Sequence, residues 1–458
     1  MGEQASRDGT QDTRDSVHVP VHAAMYVPSA HWRWQRHGGI AVLVVLYCGL
    51  WNLAARLPLN RTDLDAFFIP SARIALSGHP FDVYSVRYLR YYPNANGPLS
   101  LVPLTLASAI ASWQGWLGDM ELRRVVVMTI CAPIVLLMAR EAVTLVDQLR
   151  AKPLAGVARF SAYAVFSLSP EIWHSMLFYG HIEQPLMLWL ALAGIRHLMA
   201  RHPSRSGLLL GLALLSRTSA VMLVLPLAAL LLRDRDWRAL ARFGGALVGT
   251  VAAVLLPFVL VDGRDVLYSL VTFRGGLPVG GGSLWGITLD TPLEAFGQRY
   301  DGLMVVLVSL LLTAVVLRRR DLKLGSPALY LLLALSSFCF ALLIKTLWPY
   351  YFLEPFIFLT IWWLGAMPYP AGRFSGWVRW AAAVVLPCAA IACAGIREYG
   401  LTLEEQQGLF RSESILLTVA MLLAMAAILW LLLGRKSSGS KLSFQPVRPV
   451  RQEYTAGR

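Results

Sequence analysis

Apolar runs of about twenty residues recur along this whole chain, and they constrain its fold more than any motif does. One such run in a helix spans ~30 Å of hydrocarbon. Inside a bilayer the backbone must satisfy its own hydrogen bonds, so runs of this length read as spanning helices. The composition agrees: 56% of the 458 residues are hydrophobic and only 15% are charged, against about half and about a quarter in soluble domains. The expectation is a single all-α polytopic membrane domain, not several soluble ones.

The runs fall at 38–58, 125–147, 155–170, 180–200, 206–217, 219–232, 240–261, 302–317, 325–345, 351–369, 376–395 and 413–434. A further apolar piece, 98–116, is ambiguous. If it crosses, the basic residues around Arg150 and Lys152 and around Arg201 and Arg205 land on the outside. If it lies along the outer surface, the basic clusters at 150–159, 196–205, 233–242, 318–323, 373–379 and 435–441 share one side. Lys and Arg collect in cytoplasmic loops, which favours the second layout. It has twelve spans, both termini cytoplasmic, and juxtamembrane helices in the first outer loop, 59–124. Pro93, Pro98 and Pro103 are expected to interrupt a helix in the ambiguous piece, and Trp113 and Trp116 suit an interface. Residues 1–35 read as a disordered cytoplasmic tail, 36–434 as the membrane domain and 435–458 as a basic cytoplasmic tail. The first apolar run is too long for a signal peptide and lacks a small-residue cleavage site.

The formal charge of +14 belongs with the cytoplasmic loops and not with nucleic acid, since no soluble segment interleaves basic and aromatic residues. The five cysteines lie inside apolar runs and read as small core residues. No inverted repeat is evident, which argues against a transporter or flippase, the competing class.

On this layout four polar segments face outward: 59–124, 169–185, 263–286 and 345–355. Polar groups are costly at membrane depth unless satisfied, so their convergence predicts an outer cavity. Asp63 and Asp65 follow the first span, in TDLDAFFIPSARIALSGHPFDVYS. Either is a candidate general base for a hydroxyl; either also suits the N-terminus of a helix over 65–77. Their spacing is weak evidence for a divalent metal, so no metal is favoured and no cofactor is required. Asp82 reads as a turn residue. Tyr92 closes a loop dense in Tyr and Arg, suited to stacking on a sugar or to an interfacial belt. His181, Glu183 and Gln184 open the span in GHIEQP. Arg217 separates two half-length apolar runs and needs a partner, with a phosphate held by bidentate hydrogen bonds as one reading and snorkelling as the other. Arg274 and Lys345 are weaker phosphate candidates, and Tyr350 and Tyr351 complete the set. The glycines over 275–286 predict a mobile loop; GxxxxGK[ST] is absent.

These features resemble the GT-C superfamily of membrane glycosyltransferases, and within it glycosyltransferase family 87, the polyprenyl-phosphate-mannose-dependent mannosyltransferases. The resemblance rests on Asp63, Phe67 and Ala72 followed by LSGHPFDVY, on Tyr92-Pro93, on GHIEQ, and on Arg217 where the family has lysine. It spans about residues 40–240. Trp348-Pro349-Tyr350-Tyr351 departs from the family's histidine-tyrosine pair, and Asn94 replaces a second proline. The resemblance implies a cell-membrane hexosyltransferase with its active site on the non-cytoplasmic face. Its donor would be a polyprenyl-phosphate sugar, with mannose the implied sugar; a glycan or lipid acceptor is expected, with protein also open. Inversion at the anomeric carbon is also implied.

Overall fold

Every regular element among the described residues of this computed structural model is helical. The structure describes residues 30–55, 63–85, 94–169, 172, 176, 180–280, 283–320, 322–345, 347, 349–366 and 403–433. Tyr92, the run at 376–395, residues 1–29 and the tail from 434 lie outside them.

The helices are α1 (Ala30–Ala55), α2 (Ile69–Leu76), α3 (Leu101–Trp113), α4 (Met120–Leu149) and α5 (Gly156–Leu168). They continue with α6 (Glu183–Met199), α7 (Pro203–Ser216), α8 (Val221–Arg233) and α9 (Trp237–Leu267). The last four are α10 (Pro292–Arg318), α11 (Pro327–Leu343), α12 (Leu353–Ala366) and α13 (Leu403–Leu433). Among the described residues, three helical stretches are long and apolar enough to cross a membrane: Glu121–Leu149, Trp237–Thr272 and Pro292–Arg318. Residues 30–35, expected within the disordered tail, begin α1 instead.

Local chemistry explains many boundaries. Asp119 caps α4 by accepting from Leu122 N at 3.0 Å, and Asp236 caps α9 by accepting from Ala239 N at 3.0 Å. Pro203, Pro292 and Pro327 occupy first turns, where no intrahelical N–H is needed. The same reason corrects the expectation for 98–116. Pro98 heads a 3-10 turn and Pro103 falls in the first turn of α3, so a helix forms behind them. At 13 residues it is about 20 Å long, short for a crossing, and it ends at Trp113, which is 82% exposed. α9 breaks at Asp262 (φ −151°, ψ 77°), whose Oδ1 accepts from Asp265 N at 3.2 Å.

α6 and α7 form a hairpin, and α7 lies across α9. The spacing Gly207–Gly211 makes the second contact possible. A Cβ at Gly207 would stand 2.1 Å from the Phe243 carbonyl oxygen, and one at Gly211 would stand 3.0 Å from that of Leu247. Small residues four apart let apolar helices approach backbone to backbone where hydrophobic expulsion gives no advantage. α4, α6 and α11 supply the buried centre, with Met138, Val143, Met187, Leu192 and Leu333 at 0% exposure. α9 and α10 instead turn Leu256, Leu260, Leu310 and Leu311 outward. Apolar faces of this size suit lipid and not water.

Candidate functional site

Where α6 begins and α7 stops, four separate segments bring ionisable side chains together in one chain of contacts. The first link is Asp63, immediately before a π turn over Leu64–Phe68 that leads into α2. The predicted helix forms, but Asp63 makes no capping hydrogen bond. Its carboxylate turns to His181, with Oδ2 and Nε2 3.0 Å apart. Gly180, in the left-handed region at φ +70°, makes that approach possible. A Cβ there would lie 2.4 Å from the Leu64 Cβ.

The chain then runs inward. His181 Nδ1 contacts Glu183 Oε1. The same Glu183 oxygen accepts from Arg217 Nη1 at 2.9 Å. Arg217 Nε stands 3.6 Å from Glu354 Oε1, which also accepts from Ser219 Oγ at 2.7 Å. Exposure falls along the way: the side chain of Asp63 is 34% exposed, that of His181 7%, and those of Glu183, Arg217 and Glu354 2% or less. Tyr350 and Tyr351 close over the guanidinium, with its carbon 5.5 Å and 4.8 Å from their ring centroids. Tyr350 also packs on His181 at 4.0 Å between centroids, and its carbonyl accepts from Gln184 Nε2 at 2.9 Å.

Local sequence places each member. α7 ends because Arg217 adopts an extended conformation (φ −152°, ψ 129°), followed by a 3-10 turn over Thr218–Ala220 and then α8. That break puts a guanidinium between two half-length apolar helices, where it meets the acids that open α6 and α12. Arg217 Nε and Nη2 and Glu183 Oε2 are buried without a hydrogen-bond partner among the described residues. Buried ionic groups with open valences are costly, which makes this cluster the candidate site among the described residues.

The structure separates residues that the sequence groups. Asp65, expected as an equivalent of Asp63, is held by two arginines at the start of α4. Arg123 Nη2 donates to one carboxylate oxygen and Arg124 Nη2 to the other, each at 2.5 Å. Its carboxylate is therefore neutralised and committed, while Asp63 stays half-open. Arg217, expected at the outer end to meet a phosphate, is 1% exposed and already paired with acids. Lys345 lies apart from the cluster: Nζ contacts the Gly275 carbonyl and stands 3.7 Å from Asp301. Arg274 sits in the short helical turn Phe273–Gly276. The glycine-rich segment is pinned, not mobile, at its described residues: Gly280 N and Ser283 Oγ donate to the Lys345 carbonyl at 3.1 and 2.9 Å. Trp285 Nε1 also donates to the Leu343 carbonyl at 2.7 Å. Asp82 makes a turn contact with His79 at 3.3 Å.

Sequence reasoning missed Glu354, Ser219, Arg123 and Arg124. Glu354 carries the same kind of signal as Arg217, a charge opening an apolar run. Among the described residues, fold and site define an all-helical protein with helices long and apolar enough to cross a membrane and an acid–imidazole–guanidinium chain at one end of the α6–α7 hairpin. No protein-family model matches the chain, and no curated protein does.

Proposed function

We propose that this chain is an integral membrane glycosyltransferase that moves a sugar from a polyprenyl-phosphate donor to an acceptor hydroxyl on the non-cytoplasmic face. Mannose is the sugar that the resemblance implies. The supporting observation is the chain of contacts from partly exposed Asp63 to buried Arg217, at one end of the α6–α7 hairpin. Twelve spans in the cell membrane, with both termini cytoplasmic, belong to the same reading.

In this mechanism the acceptor oxygen attacks the anomeric carbon while Asp63 takes its proton. The bond from that carbon to the phosphate oxygen breaks, and polyprenyl phosphate leaves with the electron pair. His181, fixed from behind by Glu183, holds the Asp63 carboxylate in place. Arg217 fixes Glu183 in turn. Its open Nη2 valence is the donor offered to the leaving phosphate once Tyr350 and Tyr351 part. A lipid phosphate fits an outward-facing site because nucleotide sugars are cytoplasmic.

The test is transfer from radiolabelled polyprenyl-phosphate mannose in membranes carrying the full chain. Wild type transfers label to an acceptor, and Asp63→Asn does not. Undiminished transfer by the double variant Asp63→Asn/Asp65→Asn overturns the mechanism. Movement of intact donor across the bilayer without transfer identifies a flippase instead.

A further inference from the structure

At the opposite end of α6 and α7 lies a second built feature. The turn from α6 to α7 and the turn from α8 to α9 meet around a cleft of about 160 Å³ lined by Leu198, Arg201, Leu231, Arg238, Arg242 and Leu324. A neighbouring cleft shares Arg201 and Arg242 and adds His202 and Arg205. Asp236 is the acid lining the first cleft, and its carboxylate is engaged in capping α9. Arg201, Arg205, Arg238 and Arg242 form no ion pair among the described residues.

The backbone of the two turns shows how the cleft is walled. After α6, Arg201 N donates to the Leu198 carbonyl and His202 N to that of His197. After α8, Arg235 N donates to the Leu232 carbonyl and Asp236 N to that of Leu231. Both are Schellman closures, whose left-handed position normally takes glycine. Here it takes arginine twice, Arg201 at φ +62° and Arg235 at φ +54°. The first of these turns sets Arg201, which lines both clefts together with Arg242, at their shared wall.

We propose that this cleft binds the phosphate-bearing headgroup of an anionic membrane lipid. The arginines supply the charge and geometry for phosphate. Leu198, Leu231 and Leu324 supply an apolar wall that a free phosphate ion does not need. Trp237, 60% exposed at the start of α9, marks the interface depth at which headgroups lie. Basic pockets between helices on the cytoplasmic side are the general form of such sites.

The purified full chain in phosphatidylcholine nanodiscs tests this, with native mass spectrometry reading retained lipid and light scattering reading melting temperature. Adding cardiolipin or phosphatidylglycerol should give bound lipid and a higher melting temperature. In Arg201→Gln/Arg242→Gln, affinity should fall about tenfold or more. The charge-matched variant Arg264→Gln/Arg299→Gln, altered at exposed positions elsewhere, should bind like wild type. Equal losses in both variants would reduce the effect to net charge and overturn the proposal. Inorganic phosphate giving the same shift as the lipids would assign the cleft to a free anion and overturn the lipid as its source.

Discussion

The two ends of the α6–α7 hairpin treat charge in opposite ways. At one end Asp63, His181, Glu183, Arg217 and Glu354 share contacts, and four of them are nearly withdrawn from solvent. At the other, Arg201, Arg205, Arg238 and Arg242 line two adjoining open clefts and form no ion pair among the described residues. A buried guanidinium must find acids at once, because desolvation at depth is costly. An arginine at the interface is solvated and can wait for a phosphate. The buried end therefore has one arrangement with little tolerance, whereas the open end is held together by its turns and not by its charges.

Substitutions sharpen that contrast. The largest effect is expected for Asp63→Asn: transfer should fall by about 10²–10⁴-fold, the worth of a positioned general base, with melting temperature nearly unchanged. Initial rates with labelled donor measure it, and Asp65→Asn, which loosens an ion pair, should lower stability more than Asp63→Asn does. Next is Glu183→Ala, which leaves Arg217 buried with its best partner gone. A loss of about 3–5 kcal/mol is expected for breaking a buried pair from one side, read by thermal unfolding in detergent. A smaller loss would mean that Glu354 alone neutralises the guanidinium.

Gly207→Ala separates packing from charge. A methyl group directed at the Phe243 carbonyl should cost about 1–3 kcal/mol by overpacking. A larger substitution there should force α7 off α9, which cysteine crosslinking across the helix pair would report. The smallest effect is expected at the open end. Arg242→Gln should change stability by no more than about 0.5 kcal/mol without lipid, as for other exposed substitutions. A loss comparable to that of Glu183→Ala would abolish the distinction between the two ends.

Much of this protein was legible in the sequence. The all-helical class follows from the apolar runs. The break at Arg217 follows from a charge set between two short runs, whereas the helix over Leu101–Trp113 forms against the expectation that its prolines interrupt it. GHIEQP and Arg217 were recognisable as costly groups needing partners. What those partners are was not legible, because they come from positions 34 and 137 residues further along the chain than Glu183 and Arg217 respectively in the case of Arg217 and Glu354.

Sequence by itself therefore determined which stretches are apolar helices and which polar residues must be satisfied. Local spacing sets both, since hydrophobic length and burial cost are properties of a residue and its neighbours. Tertiary structure decided the pairings. Asp63 and Asp65 look interchangeable two residues apart, yet one meets His181 and the other meets Arg123 and Arg124. Successive side chains at the start of a helix point about 100° apart, so two acids two residues apart face different neighbours. Which neighbours those are depends on how α4 and α6 pack against that turn.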